Sequence, residues 1–203
     1  VRGEFEGGAD LPWSAWQGQL YTRIDYADLA AWQAWFDYPI DLPQGRGALR
    51  LWAEREDGAW RGTADLRLAD VRVRLAADLP ELDLARLSGR VRLAQGPGRL
   101  RLETQGLSLR TGAGLEIQPL DLKAEWRGVA GQPGQGSIAA NRVDLAALAG
   151  LAAYLPLDAH SRALLERHAP QGRLRQVQLS WDARDGQWRQ YSLKAGFEGL
   201  GLA

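Results

Sequence analysis

Pro43-Gln44-Gly45-Arg46 recurs letter for letter as Pro170-Gln171-Gly172-Arg173, and what surrounds the two copies decides the fold. After each copy, apolar and polar residues alternate. The alternation then meets a turn, Asp57-Gly58-Ala59-Trp60-Arg61 in one case and Asp185-Gly186-Gln187-Trp188-Arg189 in the other. Before each copy stands an Asp-led helical pattern, Asp28-Leu29-Ala30-Ala31 and Asp144-Leu145-Ala146-Ala147. The order strand, helix, strand, turn, strand is therefore written twice, over approximate units 18–127 and 134–203 of a single fragment, 1–203. Repeats of this kind act through an extended surface rather than a catalytic pocket.

Outward from the first copy the chain is strand after strand. Leu20, Thr22, Ile24 and Tyr26 share one side, and Tyr21, Arg23 and Asp25 the other. Leu49 and Leu51 alternate with Arg50 and Trp52, and Leu66 and Leu68 with Arg67. At Ala69-Asp70 the phase slips by one before Val71, Val73 and Leu75 resume it, which is how a β-bulge looks in sequence. Val91 and Leu93, Leu100 and Leu102, Leu107 and Leu109, then Leu120, Leu122, Ala124 and Trp126 continue the pattern. Asp57-Gly58, Gly96-Pro97-Gly98 and Gly112-Ala113-Gly114 supply turns, so an antiparallel meander is expected. Ser137 to Val143, Val177 to Trp181 and Leu193 to Phe197 add strands in the second unit.

Helices are few and short. Asp28 caps one with Leu29, Trp32 and Phe36 on a face and Trp35 beside them. That aromatic cluster either pins the helix to the sheet or lines a binding surface. Asp144 caps a second helix that ends at Leu155-Pro156, and Asp158 a third that ends before Pro170. The fold expected is mainly β: a curved antiparallel β-sheet groove with two or three short α-helices. A closed β-sandwich fits the same alternation; the repetition favours a trough, because a meander that keeps its hand over many strands rolls.

Composition removes whole classes of function. Basic and acidic residues balance at 25 each, so no net field recruits nucleic acid or anionic membranes, and no nucleic-acid partner is expected. The positive charge is nearly all arginine, with lysine only at 123 and 194. Cysteine is absent, which excludes disulfides and thiolate metal sites. His160 and His168 stand eight apart, too far for an i, i+4 metal pair, and the glycines of 128–136 lack the Lys-Ser/Thr of a phosphate loop. With no nucleophile elbow and no Cys/His arrangement, no enzyme, cofactor, metal or catalytic residue is expected. No apolar run approaches the ~20 residues of a membrane span. The chain opens at Val1 in mid-pattern, without methionine, and reads as an internal piece of a longer protein.

The chain resembles the AsmA-like superfamily and, more narrowly, the YhdP-type proteins of Gram-negative envelopes, which are related to TamB. Four features carry the resemblance. They are the Asp-Leu-Ala-Ala helix after a strand (Asp28 to Ala31, Asp144 to Ala147) and the Pro-Gln-Gly-Arg lead-in to a strand (Leu42 to Arg46, Ala169 to Arg173). The others are the strand ending in tryptophan before an Asp-Gly turn (Trp52, Trp181) and the closing Phe197 to Leu202 strand. These are structural motifs, none of them catalytic, and they run over essentially the whole chain.

The resemblance implies a periplasmic protein anchored in the inner membrane by a helix of the parent chain. It implies a long β-sheet groove that shields phospholipid acyl chains on their way to the outer membrane and so supports that membrane's barrier. Partner proteins of the envelope are a further expectation. The inward strand residues expected to line such a groove are Leu66, Leu68, Val71, Val73, Leu100, Leu102, Leu107, Leu109, Leu120 and Leu122. The rival reading is a structural or protein-binding module of an envelope protein whose apolar face is closed by its own helices and touches no lipid. A third is a sugar-binding or enzymatic β-domain using surface tryptophans such as Trp60 and Trp188.

Overall fold

The computed structural model describes residues 2–6, 17–29, 41–128, 134–157, 159–184 and 187–201. Strands β1 (Arg2–Glu6), β2 (Gln17–Asp28), β3 (Asp41–Glu56), β4 (Ala59–Arg74) and β5 (Leu82–Gly96) come first. They are followed by β6 (Arg99–Thr111), β7 (Glu116–Arg127) and β8 (Gly134–Asp144). Helix α1 (Leu145–Leu151), a 3-10 turn (Ala152–Tyr154) and helix α2 (Ala159–His168) precede β9 (Gln171–Arg184) and β10 (Gln187–Gly201). The strands form one 10-stranded sheet in strict chain order. Every neighbouring pair is antiparallel, and β1 and β10 remain at the two edges, so the sheet is open. The meander is as expected, and a two-sheet sandwich is not what forms.

Local chemistry sets the turns. Asp57 (φ 48°) and Gly58 (φ 74°) are both left-handed, the signature of the two-residue turn whose twist matches a hairpin. The phase slip at Ala69-Asp70 is a bulge, as read from the sequence. Arg46 pairs with Ala69 but Gln44 with Arg72, so β4 spends one extra residue there. Asp70 takes φ 51°, and its carboxylate accepts a 2.8 Å hydrogen bond from Arg46 Nη2. The same device recurs in β6. Leu100–Leu102 and Leu107–Leu109 belong to one strand, β6, bulged at Gly106, whose N–H donates to Asp121 Oδ1 at 2.8 Å.

The two unit starts correspond in the pairing. Asp28 faces Arg46 across β2 and β3, and Asp144 faces Arg173 across β8 and β9. The Asp144 side chain accepts from Ala147 N at 2.9 Å and starts α1; Leu155 (ψ 147°), before Pro156, is extended and ends the helical stretch. The aromatic helix expected after Asp28 lies outside the described residues beyond Leu29, which is buried. Asp158 and the turn at 185–186 also lie outside them.

The fully buried core sits at one end of the strands. Leu29, Leu42, Leu68, Val71, Val73, Leu82, Leu84 and Leu151 of α1 form it, with Tyr154 and Leu155 packed against it. We call this the helix end, and the end bearing the turns at Asp57–Gly58 and Pro97–Gly98 the hairpin rim.

Candidate functional site: an apolar sheet face with a tryptophan rim

Directly paired residues of a sheet share a face, so the register assigns every side chain. From Leu20 one rung runs through Ala53, Gly62, Leu93, Leu102, Ala124, Ile138 and Leu179 to Leu193. Next to it another runs from Thr22 through Leu51, Ala64, Val91, Thr104, Leu122 and Ala140 to Val177. Ile24, Leu49, Leu66 and Gly89 make a third, continued on the far side by Leu107 and Leu120. Leu68, Leu87, Leu109 and Ile117 follow, and beyond the bulges Val71 meets Leu84 and Val73 meets Leu82. Bulges keep the aliphatic residues on one face, since each extra residue restores a phase that plain alternation would lose.

All ten leucine and valine positions singled out from the sequence fall on this face. They do not share one environment. Leu68 (5%), Val71 (1%) and Val73 (7%) are sealed in the core at the helix end. Leu66 and Leu109 pack at its margin. Leu102, Leu107, Leu120 and Leu122 are half-buried and Leu100 is exposed. Sequence reading passed over Leu51, Leu93, Ile138 and Leu179 on the same face, although the same alternation marks them.

At the hairpin rim the outermost rung contains Arg55, Trp60, Gln95, Leu100, Trp126, Gly136, Trp181 and Tyr191. Each tryptophan lies against a glycine: Trp60 over Gly62, Trp126 over Gly134 and Trp181 over Gly136. Any Cβ at those glycines would overlap the indole, so the missing side chains give the rings their seats. Trp52 belongs to the other face, where its ring centroid lies 5.3 Å from that of Tyr21. The tryptophans that close the strands of the two units, Trp52 and Trp181, are therefore not equivalent. The side chain of Trp188 lies outside the described residues.

The opposite face is charged and largely self-neutralised. Arg90 grips both oxygens of Asp65, the Nη2–Oδ2 arm at 2.8 Å. Glu125 receives Arg101 at 2.6 Å and Lys123 at 3.3 Å. The Arg90 hydrogen bond holds the Asp65 carboxyl below the usual carboxylate range, and hydrogen bonds from Arg101 and then Lys123 do the same for Glu125. Two concavities, ≈ 880 Å³ around Tyr21, Trp52 and Arg61 and ≈ 410 Å³ around Glu125, Ser137 and Ser180, open on this charged face. Asp65 and Glu125 are thus engaged by arginine and lysine. His160 and His168 are exposed, and no group of three or more metal-binding side chains occurs among the described residues. No helix among them is long and apolar enough to cross a membrane.

No curated protein and no solved structure matches the chain. The family model described as "YhdP protein" matches residues 1–203. With the register and motifs above, this shows that the chain belongs to the YhdP family of AsmA-like cell-envelope proteins.

Proposed function

We propose that the open half of the apolar face shields phospholipid acyl chains as they cross the periplasm between inner and outer membrane, in a parent protein anchored in the inner membrane. One observation carries this reading. Two rungs made of aliphatic residues, small residues and threonines run from β2 to β9, and on them Leu93, Leu102, Leu122, Ile138 and Leu179 are only half-buried. Each methylene exposed to water costs about 0.8 kcal/mol, so a two-chain lipid crossing unshielded would pay on the order of 25 kcal/mol. A row of leucines and valines offsets most of that cost along its length. It has no tight pocket, which suits a cargo that must slide. Leu100, Leu102, Leu107, Leu120 and Leu122 are the contacts available to it. Leu68, Val71 and Val73 act instead as the structural floor at the helix end, the one region where the rival closed-core reading describes the molecule.

The test is a photoreactive residue at Leu102 or Leu122 of the full chain in cells. Phospholipid adducts at both support the reading. Adducts to protein alone would transfer the whole face to the structural role.

A further inference from the structure

We infer that Arg55 holds the headgroup phosphate of the lipid on this face, which lies with its headgroup at the hairpin rim and its tails directed toward the helix end. This rests on the acyl-chain reading above and adds to it the residue that meets the phosphate and an orientation.

Arg55 is the only charged side chain among the described residues on the rungs between the Gly18–Tyr191 row and the Ile24–Leu66 row. It is half-buried, and no hydrogen-bond or ion-pair partner for it occurs among the described residues. On the opposite face Arg61 meets Glu54, Arg90 meets Asp65, Arg92 meets Glu103 and Arg101 meets Glu125, while Arg50 and Arg67, which have no such partner among the described residues, are exposed to solvent. A guanidinium set on a greasy face without a carboxylate is a costly arrangement for the protein alone, and its planar fork fits a phosphate.

The neighbours of Arg55 are those of a membrane interface. Trp60 is its direct cross-strand partner, and Trp126 and Trp181 continue the same rung. Seated on glycines, the indoles form a low ledge rather than a wall. Tryptophan, apolar in body and with one N–H donor, collects where hydrocarbon meets polar headgroups. Inward of the ledge, among the described residues, the rungs carry only aliphatic residues, small residues and threonines as far as the sealed core. From the ledge to the Ile24–Leu66 rung are three two-residue steps along a strand, about 20 Å. A single leaflet contributes about 15 Å of hydrocarbon to a bilayer. The face thus has the depth and layering of one leaflet, with its cation at the outer margin.

The experiment uses the full chain carrying a photoreactive residue at Leu102, offered mixed micelles of dioleoyl phosphatidylglycerol or of dioleoylglycerol, which share tails and differ in the phosphate. The expected result is about tenfold more adduct with the phosphate-bearing lipid, the size of a charge-assisted contact. Arg55→Gln brings the two lipids within about twofold, and Arg55→Lys restores part of the preference. The melting temperature of both variants stays at the wild-type value, because Arg55 holds no partner among the described residues. Equal adducts with both lipids in the wild type, or a preference that survives Arg55→Gln, overturns the inference and leaves the acyl-chain reading standing. Absence of any lipid adduct overturns both.

Discussion

At Gly136 a single methyl group would occupy the space of the Trp181 ring. Gly136→Val is therefore expected to lift the indole off the sheet, shift its fluorescence to the red and cost roughly 1–3 kcal/mol, read from denaturant unfolding. Val71 and Leu102 lie on one face and give opposite outcomes. Val71 is buried to 1%, so Val71→Ala removes packed methyls and costs about 2 kcal/mol in the same measurement. Leu102 is half-buried beside open face, so Leu102→Ala is expected to cost under about 1 kcal/mol while reducing lipid adducts at Leu122. Equal losses for the two would mean that the face is uniformly sealed. Charge enters through Asp65 and Glu125, whose carboxyls Arg90 and Arg101 hold below their usual range. A lowered folded pKa gives stability that is present above the ordinary carboxylate value of about 4 and lost as pH falls through the folded value. The melting temperature should stay level from pH 8 to about pH 5 and fall below about pH 4, with a shallower fall in Asp65→Asn.

Strands and helices carry the next level of control. Asp144 is both the cap of α1 and the cross-strand partner of Arg173. Asp144→Ala is expected to cost about 1 kcal/mol. Leu151→Ala, which hollows the core that α1 shares with β4 and β5, should cost about 2–5 kcal/mol. Thermal melts of the pair would separate cap from packing. The cap was legible because an aspartate before Leu145 and Ala146 has one obvious use. Of the bulges, the one at Asp70 was legible because Leu68 and Val71 are an odd number apart and both apolar. Gly106 hid in a longer gap between Leu102 and Leu107, where the same parity argument holds but a strand break explains it equally well. The bulge at Gln176 (φ 50°) left the same odd spacing, Leu174 to Val177, but no glycine or turn-former marks it. Trp52 and Trp181 looked like one motif because both precede Asp-Gly, yet they stand five and four residues before their turns. That difference of one sends them to opposite faces.

For the molecule as a whole, the two sheet edges are the exposed feature. On β10, Tyr191, Leu193, Phe197 and Leu200 are 72%, 52%, 59% and 60% exposed, and its outer edge pairs with no strand among the described residues. Such an edge recruits further strands. The 203-residue chain is expected to self-associate with rising concentration, and lysines in place of Leu193 and Phe197 should return it to monomer in sedimentation experiments. Sequence by itself determined the meander, its antiparallel pairing and which residues are greasy. These follow from periodicity and turn chemistry, both local properties that neighbouring residues enforce on each other. It did not determine which of those greasy residues are sealed. Leu68 and Leu102 have the same neighbours in kind, an alternating strand with arginines between. One lies where α1 closes over the sheet and the other toward the tryptophan rim, and that is decided by contacts between segments far apart in the chain. The setting of Arg55 is likewise tertiary: only the register reveals that among the described residues it shares a face with leucines rather than with carboxylates.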